Sequence, residues 1–321
     1  MLPLLLACAQ APTVAPPGAL VAVVDSLRAD HLDLGGYPAG ARIYTEAYSA
    51  SPWTSSSTWT LTTGQKPSAD LRAQMAPWDL VLSTTRGWMA ASGEGWPTAV
   101  VTDHSVVAWA WGVAEQPYRH AEEGVDLDQG GRVYLHVHGA HSPYAGLTGL
   151  YAAGPDRRYQ DHLDARNSGG EARDLPPDLA AWAPLAYEAA ADHAQVRMRG
   201  LVSDAVARGW TVILTADHGE ALGEDGLWEH SSALHDPQVR VPLVVWGPGV
   251  KPGTDATPVP ATCVAATVRG DGCDLRRGRI EGIVRPGMSV DGDWVRRHVA
   301  GTDEISAVRA SPGGEGRVIP Q

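Results

Sequence analysis

Ala19-Leu20-Val21-Ala22-Val23-Val24-Asp25 is the stretch whose pattern decides the fold: an unbroken apolar run that stops at a carboxylate. A strand covered on one face alternates apolar and polar side chains, so a continuous run predicts a strand buried on both faces, as in a parallel sheet lying between helices. Similar runs occur at Trp210 to Thr215, followed by Asp217-His218-Gly219, and at Arg132 to Val137, followed by His138-Gly139-Ala140-His141. Shorter ones lie at Thr98 to Thr102 and Val241 to Trp246. Between them, Leu179 to Arg208 has apolar residues at helical spacing, with Gly209 placed to close the helix. Asp156 to Pro177 is polar and aperiodic and reads as a surface loop, and beyond Val250 the periodicity weakens in favour of Gly, Pro, Asp and Arg. The expected fold class is α/β, a mostly parallel central sheet flanked by helices with a short irregular C-terminal part. Residues 19–249 form its body, and 250–321 an abbreviated extension of the same domain.

The 321 residues carry 25 basic and 37 acidic side chains, a net charge of −12, and no run of Lys or Arg longer than two. That balance repels phosphate backbones and argues against nucleic acid as a partner. The bias of Arg over Lys, with 12 Trp and no Phe, is scattered along the chain and reads as compositional. Cys263 and Cys273 are spaced to close a small disulfide loop in an oxidising compartment, or to remain two thiols in the cytosol. Met1 to Ala7 is nearly all apolar, and Leu5-Leu6-Ala7-Cys8 resembles the lipobox of bacterial lipoproteins. Residues 1–18 are therefore expected to be a signal-like segment and linker on an exported chain, with a lipid anchor at Cys8; a cytoplasmic chain is the alternative. No other stretch approaches the roughly 18 apolar residues of a membrane-spanning helix.

Ligands of open α/β sheets bind outside the carboxyl ends of the strands. Asp25, His136, His141, Asp217 and His218 all fall at or just past such ends. Each alone has a structural explanation as a cap, turn former or core residue, but five on one sheet edge point to a site. Asp25, Asp217 and His218 supply two carboxylates and an imidazole, a set suited to Zn²⁺ or Mn²⁺. In Ser51-Pro52-Trp53-Thr54 and the residues up to Gly64, a hydroxyl at a helix start would meet both a metal and unpaired backbone N–H groups; ordinary capping of a Ser/Thr-rich loop is the other reading.

Five segments in order resemble the sulfatases and sulfatase-like hydrolases and transferases of the alkaline phosphatase superfamily. They are Val24 to Leu32 with Gly36-Tyr37, Pro52 to Gly64, Leu135 to Tyr144, Thr215 to Glu224 and Arg240 to Val245. The resemblance implies an alkaline phosphatase-like sandwich and a divalent metal, Zn or Mn before Ca, held by Asp25, Thr54, Asp217 and His218. It makes Thr54 the nucleophile. His136, His141 and His230 would meet the substrate or a second metal, His141 and His230 with catalytic parts. Arg28 would orient the loop, and His138 matches no family position and reads as structural. The implied substrate is a small anionic ester, or a lipid or glycan head group.

The departures from the family direct the chemistry. Sulfatases convert a Cys or Ser in Cys/Ser-x-Pro-x-Arg to formylglycine, whereas this chain reads Thr54-Ser55-Ser56-Ser57-Thr58. Threonine cannot form that aldehyde hydrate but is a competent nucleophile in phosphoryl transfer, so phosphoester chemistry is favoured over true sulfuric ester hydrolysis. A binding lipoprotein that keeps the fold without turnover is the reading from another class.

Overall fold

The structure, a computed structural model, describes residues 18–65, 99–104, 107–108, 121–144, 155–167, 175–231, 234–270 and 273, and the backbone of strands at 280–281, 294–298, 305–309 and 317–319. The strands up to residue 260 are β1 (Ala19–Val24), β2 (Arg42–Tyr44), β3 (Ala47–Tyr48), β4 (Ala99–Thr102), β5 (Arg132–Val137), β6 (Thr211–Thr215), β7 (Ala221–Leu222), β8 (Trp228–Glu229), β9 (Leu243–Trp246), β10 (Gly253–Asp255) and β11 (Val259–Pro260). Seven of them form one sheet in the order β10-β2-β9-β6-β1-β5-β4. β6, β1, β5 and β4 are parallel, while β9 runs antiparallel to both its neighbours, β6 and β2. The sheet is thus mixed and mostly parallel, with helices flanking it. β1 is central and wholly buried, as its unbroken apolar run requires; each buried Leu or Val there contributes about 1.5–3 kcal/mol.

The helices are α1 (Thr54–Thr63), α2 (Pro155–Asn167), α3 (Pro177–Ala207) and α4 (Thr262–Arg269), with a further short turn at Asp236–Val239. α3 lays Ala183, Tyr187, Ala190, Ala191, Ala194, Met198 and Val202 into the core and packs on β1 and β6. It ends beside Gly209, whose φ of 74° is left-handed and whose N–H donates to the Val206 carbonyl.

Part of the expected surface loop at Asp156 to Pro177 is instead α2, with residues 168–174 outside the described part. Two apolar residues one turn apart, Tyr159 and Leu163, are fully buried and anchor the helix, while the charged remainder, including the Arg157–Asp161 pair, supplies no long apolar period to read. The stretch past Val250 carries α4 and the four later strands, which form a separate antiparallel sheet. Cys263 and Cys273 are joined by a disulfide, with Cα atoms 5.3 Å apart. The lipobox-like segment and Cys8 lie outside the described residues. Among the described residues no helix is long and apolar enough to cross a membrane.

The strand register is what builds the site. Val24 of β1 stands opposite Val137 of β5, Val23 opposite Thr215 of β6, and Thr102 of β4 opposite His136. Four parallel strands therefore end at one level, and the residues that follow them meet at the carboxyl edge of the sheet.

Candidate active site

At that edge the backbone aims two carboxylates at each other. Ser26 N–H and His218 N–H both donate to Asp217 Oδ1, at 3.1 and 2.9 Å, and Ser26 Oγ donates to Asp25 Oδ1 at 2.9 Å. Each carboxylate thus has one satisfied oxygen, and Oδ2 of each is buried without a hydrogen bond. His136 Nε2 is a third buried, unpartnered atom, 3.6 Å from Asp25 Oδ2 and 3.7 Å from Asp217 Oδ2. His218 Nε2 lies 3.4 Å from Asp217 Oδ2 and 3.8 Å from Asp25 Oδ1, and its Nδ1 faces the Gly219 carbonyl at 2.9 Å. With Nδ1–H donating to that carbonyl, the Nε2 lone pair is left facing the carboxylates.

Thr54 is the first residue of α1, after an extended Trp53 that offers no side-chain cap. Its Oγ1 is 3.1 Å from His218 Nε2. Ser57 N–H is bonded to the Trp53 carbonyl, so the N–H groups of Thr54, Ser55 and Ser56 precede the helix ladder and leave a donor-rich end beside the carboxylates.

Outside this centre runs a row of imidazoles. The His218 ring is 4.4 Å from His230, His230 is 4.6 Å from His141, His141 is 4.9 Å from His138, and His138 is 5.3 Å from His104. His138, His141 and His230 are partly exposed and form the open side, while His136 and His218 are fully buried. His230 is held from two directions: its Nδ1 is 2.7 Å from Glu220 Oε2, and the N–H of its neighbour Ser231 donates to the Pro52 carbonyl in the Thr54 loop. Glu229 and Ser231, on either side of it, both have positive φ, 63° and 73°. Left-handed backbone at two non-glycine residues costs about 1–2 kcal/mol each and is tolerated where the surrounding structure fixes a side chain's position.

Two glycines allow this convergence. A Cβ on Gly139 would come within 2.5 Å of Val24 Cγ1 and 2.9 Å of Ala194 Cβ, and one on Gly219 would strike the Pro237 carbonyl. His138-Gly139-Ala140 and His218-Gly219-Glu220 can therefore lie against β1 and the 236–239 turn only without those side chains.

The charges are strongly coupled. Burial opposes ionisation of Asp25, yet the neighbouring His141 and His104, with contacts from His104 and His136, hold its pKa well below the usual carboxylate range. Burial raises Glu220 to about 7 against the pull of His141 and His218, while burial and the neighbouring His218 and His141 push His230 well below its ordinary value. The Glu220–His230 contact accordingly holds one proton near neutrality.

Among the described residues, three groups of side chains bring ligand atoms within 4.8 Å of one another and could hold a metal ion: Asp25, Asp217 and His218; His218, Glu220 and His230; and His104, His138 and His141. In the second group both Glu220 oxygens are already engaged, by Tyr144 and His230. Of the residues singled out in the sequence, Asp25, Thr54, Asp217, His218 and His136 come together in the buried centre, and His141 and His230 stand at its mouth. His136 lies against the two carboxylates, apart from the His141 and His230 pair with which the resemblance grouped it. Arg28 turns away to Asp30, Glu224 and the Glu220 carbonyl and holds the loop. His138, read as structural, faces His104 and His141. His104 and Glu220 were missed; the strand at Thr98 to Thr102 followed by Asp103-His104 carries the same strand-end Asp-His signal as Asp217-His218.

Comparison with known proteins bears on this geometry. The family model for the sulfatases, Sulfatase, matches residues 188–270. The low-salt glycan biosynthesis sulfotransferase Agl7 of Haloferax volcanii is 26% identical over 282 residues, covering 79% of this chain and 62% of the relative's length. The phosphonate monoester hydrolase of Agrobacterium radiobacter superposes with a TM-score of 0.53 at 14% identity, covering 95% of this chain and 89% of that one. The C-terminal periplasmic domain of EcEptC from Escherichia coli, in its complex with Zn, gives 0.53 at 12% identity, covering 95% and 92%. The sequence match and the shared fold bear out the resemblance to the sulfatases and sulfatase-like hydrolases and transferases of the alkaline phosphatase superfamily.

Proposed function

We propose that the chain is a metal-dependent hydrolase or transferase of phosphate-type esters with Thr54 as its nucleophile. The observation that carries this reading is the convergence beside Thr54 of three buried, unsatisfied atoms: Asp25 Oδ2, Asp217 Oδ2 and His136 Nε2. Asp25 Oδ2 and Asp217 Oδ2 are buried without a hydrogen bond and have only imidazoles beside them, His136 near both and His104 Nε2 2.9 Å from Asp25 Oδ2, and a cation would close that arrangement. The donors fit one: Asp25, Asp217 and His218, with the Thr54 hydroxyl, would hold it, and mixed carboxylate and imidazole suits Zn²⁺ or Mn²⁺ before Ca²⁺. Bound there, the cation would lower the cost of a threonine alkoxide and draw charge from the ester oxygens.

The chain's own residues supply the rest. The free N–H groups at the start of α1 would bind the non-bridging oxygens. Thr54 Oγ1, its hydroxyl proton lost to solvent beforehand, would form a bond to phosphorus as the P–O bond to the leaving group breaks, and would leave again as the alkoxide in the second step. The proton held between Glu220 and His230 would pass to the departing oxygen, with His141 beside His230 at the open side of the cleft. Water, or an acceptor hydroxyl, would then displace Thr54 from phosphorus and lose its proton to the same pair.

Sulfuryl transfer is the nearest rival, and the name of the Haloferax relative supports it. The Thr54-Ser55-Ser56-Ser57-Thr58 segment, lacking Cys and Arg, supports phosphorus over sulfur. An exported location belongs to the same reading, supported by the Cys263–Cys273 disulfide and the segment around Cys8. The test is turnover by metal-loaded wild type and Thr54→Ala on matched aryl sulfate, phosphate monoester, phosphate diester and phosphonate. Phosphoester turnover lost in the variant is expected. Turnover of aryl sulfate alone would overturn the substrate class, and metal binding without turnover of any ester would favour the binding protein.

A further inference from the structure

Thr54 stands on a helix that does not hold itself in place. α1 is built of Ser and Thr around one fully buried large apolar side chain, Leu61, and Ser55 Oγ and Ser56 Oγ are buried without a hydrogen bond. Serine and threonine are weak helix formers, so a helix of this length depends on what lies against it. Among the described elements, α4 is the one on which α1 packs most closely. The contact is tight at the end of α1 far from Thr54. A Cβ on Gly64 would lie 3.2 Å from Ala265 Cβ and 3.3 Å from the Thr262 carbonyl oxygen, and Arg269 Nη1 donates to the Thr63 carbonyl at 3.5 Å. The chain just before α4 holds the other flank. β11 runs parallel to β3, Val259 N–H donating to the Glu46 carbonyl at 2.7 Å and Ala261 N–H to the Tyr48 carbonyl at 2.9 Å. β3 leads toward Ser51, whose carbonyl accepts from Ser57 Oγ at 2.7 Å in the first turn of α1. Residues 259–269 thus touch the chain on both sides of Thr54.

α4 is weak in its turn: eight residues, four of them β-branched, after an Ala261 that offers no side-chain cap. A covalent bond makes up the difference. Cys263, its second residue, is joined to Cys273, three residues past the closing Gly270, and such a bridge removes the unwound states that a short helix samples. We infer that the Cys263–Cys273 bridge is a positioning element for the helix that carries Thr54: it locks α4, and α4 with β11 brackets residues 47–63. Asp25, Asp217 and His218 are set instead by the ends of β1 and β6. Opening the bridge therefore loosens Thr54 and leaves the carboxylates in place. Cys273 is half-buried, within reach of a dithiol, which would pass two electrons and two protons to the bridge and leave as a cyclic disulfide. Turnover is then sensitive to the thiol poise of the surroundings, because a reacting atom displaced by about 1 Å loses about a hundredfold in rate. The part played by Thr54 rests on the reading above; the bracketing of α1 does not.

Hydrogen exchange of the full chain, read by mass spectrometry, tests it on oxidised wild type and on Cys263→Ala/Cys273→Ala, with Cys263→Ser/Cys273→Ser as the second variant should the alanines fail to fold. Without the bridge, amides of α1 should exchange at least about tenfold faster, while those of β1, β5 and β6 keep wild-type rates. Wild type held in a tertiary phosphine, which takes oxygen from water as the bridge gains two hydrogens, should match the variants. Unchanged exchange in α1, or an equal acceleration across the central sheet, would overturn the inference. On the ester that the metal-loaded wild type turns over, kcat of the variants should fall about ten- to a hundredfold. Faster exchange in α1 with kcat unchanged would uphold the bracket and overturn Thr54 as the nucleophile.

Discussion

At Asp25 and Asp217 the position of almost every atom is set by backbone: adjacent strands end in register, main-chain N–H groups satisfy Asp217 Oδ1, and Oδ2 of each carboxylate is left facing inward. At the rim, His138, His141 and His230 reach the cleft from turns and are partly exposed, and charged side chains hold their supports: Asp103 with Arg197, and Glu220 with His230. The buried centre is rigid by topology, and the rim is rigid by ion pairs. Chemistry that must not vary suits the first, and selection among substrates suits the second.

That contrast can be broken most severely at its inner end. Thr54→Ala should reduce kcat on the preferred phosphoester at least about a thousand-fold, near 4 kcal/mol, and should weaken zinc binding by the loss of one ligand while Asp25, Asp217 and His218 remain. Steady-state kinetics alongside metal analysis reads both.

At the rim the large effect is on stability. Arg197 bridges Asp103 and Glu122 at 2.7–2.9 Å with little exposure. Arg197→Ala strands two carboxylates and should cost about 3 kcal/mol in urea unfolding, because removing one partner of a buried ion group leaves the others uncompensated. A loss under about 1 kcal/mol would mean that the rim is held some other way.

Metal linkage sharpens the comparison further. Zinc at a hundred times its dissociation constant should stabilise wild type by about 2.7 kcal/mol per site. Asp217→Asn should lose that gain while raising the stability of the metal-free protein, since it removes one of two opposed carboxylates. Thermal melts with and without chelator test both signs.

The smallest effect serves as a control far from the cleft. Asp255, at the edge strand β10, is held at about 2 by hydrogen bonds from Thr257 and by Arg42. A carboxylate depressed in the folded state stabilises above its unfolded value of 3.8, and that gain is lost as pH falls toward 2. Asp255→Asn should flatten this part of the acid limb by about 1 kcal/mol or less, with or without zinc, because the pair is partly solvated.

The same division explains what the sequence revealed. β1, β5 and β6 were legible because a doubly buried strand must be apolar throughout, and Asp25, Asp217 and His218 because a polar residue ending such a run is conspicuous. His104 follows the shorter β4, in which Ala99 is exposed and Val100 and Val101 are half-buried, so its strand-end position stood out less. His138 reads as structural in the sequence because it matches no position of the family, and period-two alternation says which face a side chain takes, not which loop lies opposite. α2 escaped because two anchors, Tyr159 and Leu163, are too few to make a period. Long-range pairings such as Asp103 with Arg197 and Ser231 with Pro52 join residues far apart in the chain, and no local pattern encodes them.

The most direct measurement is the mass of the Thr54 peptide after acid quench of metal-loaded enzyme turning over a phosphate ester. A phosphoryl group on Thr54, absent from the chelated enzyme, is the predicted result. Full ester turnover with Thr54 unmodified, and with Thr54→Ala as active as wild type, would contradict the assignment of the nucleophile.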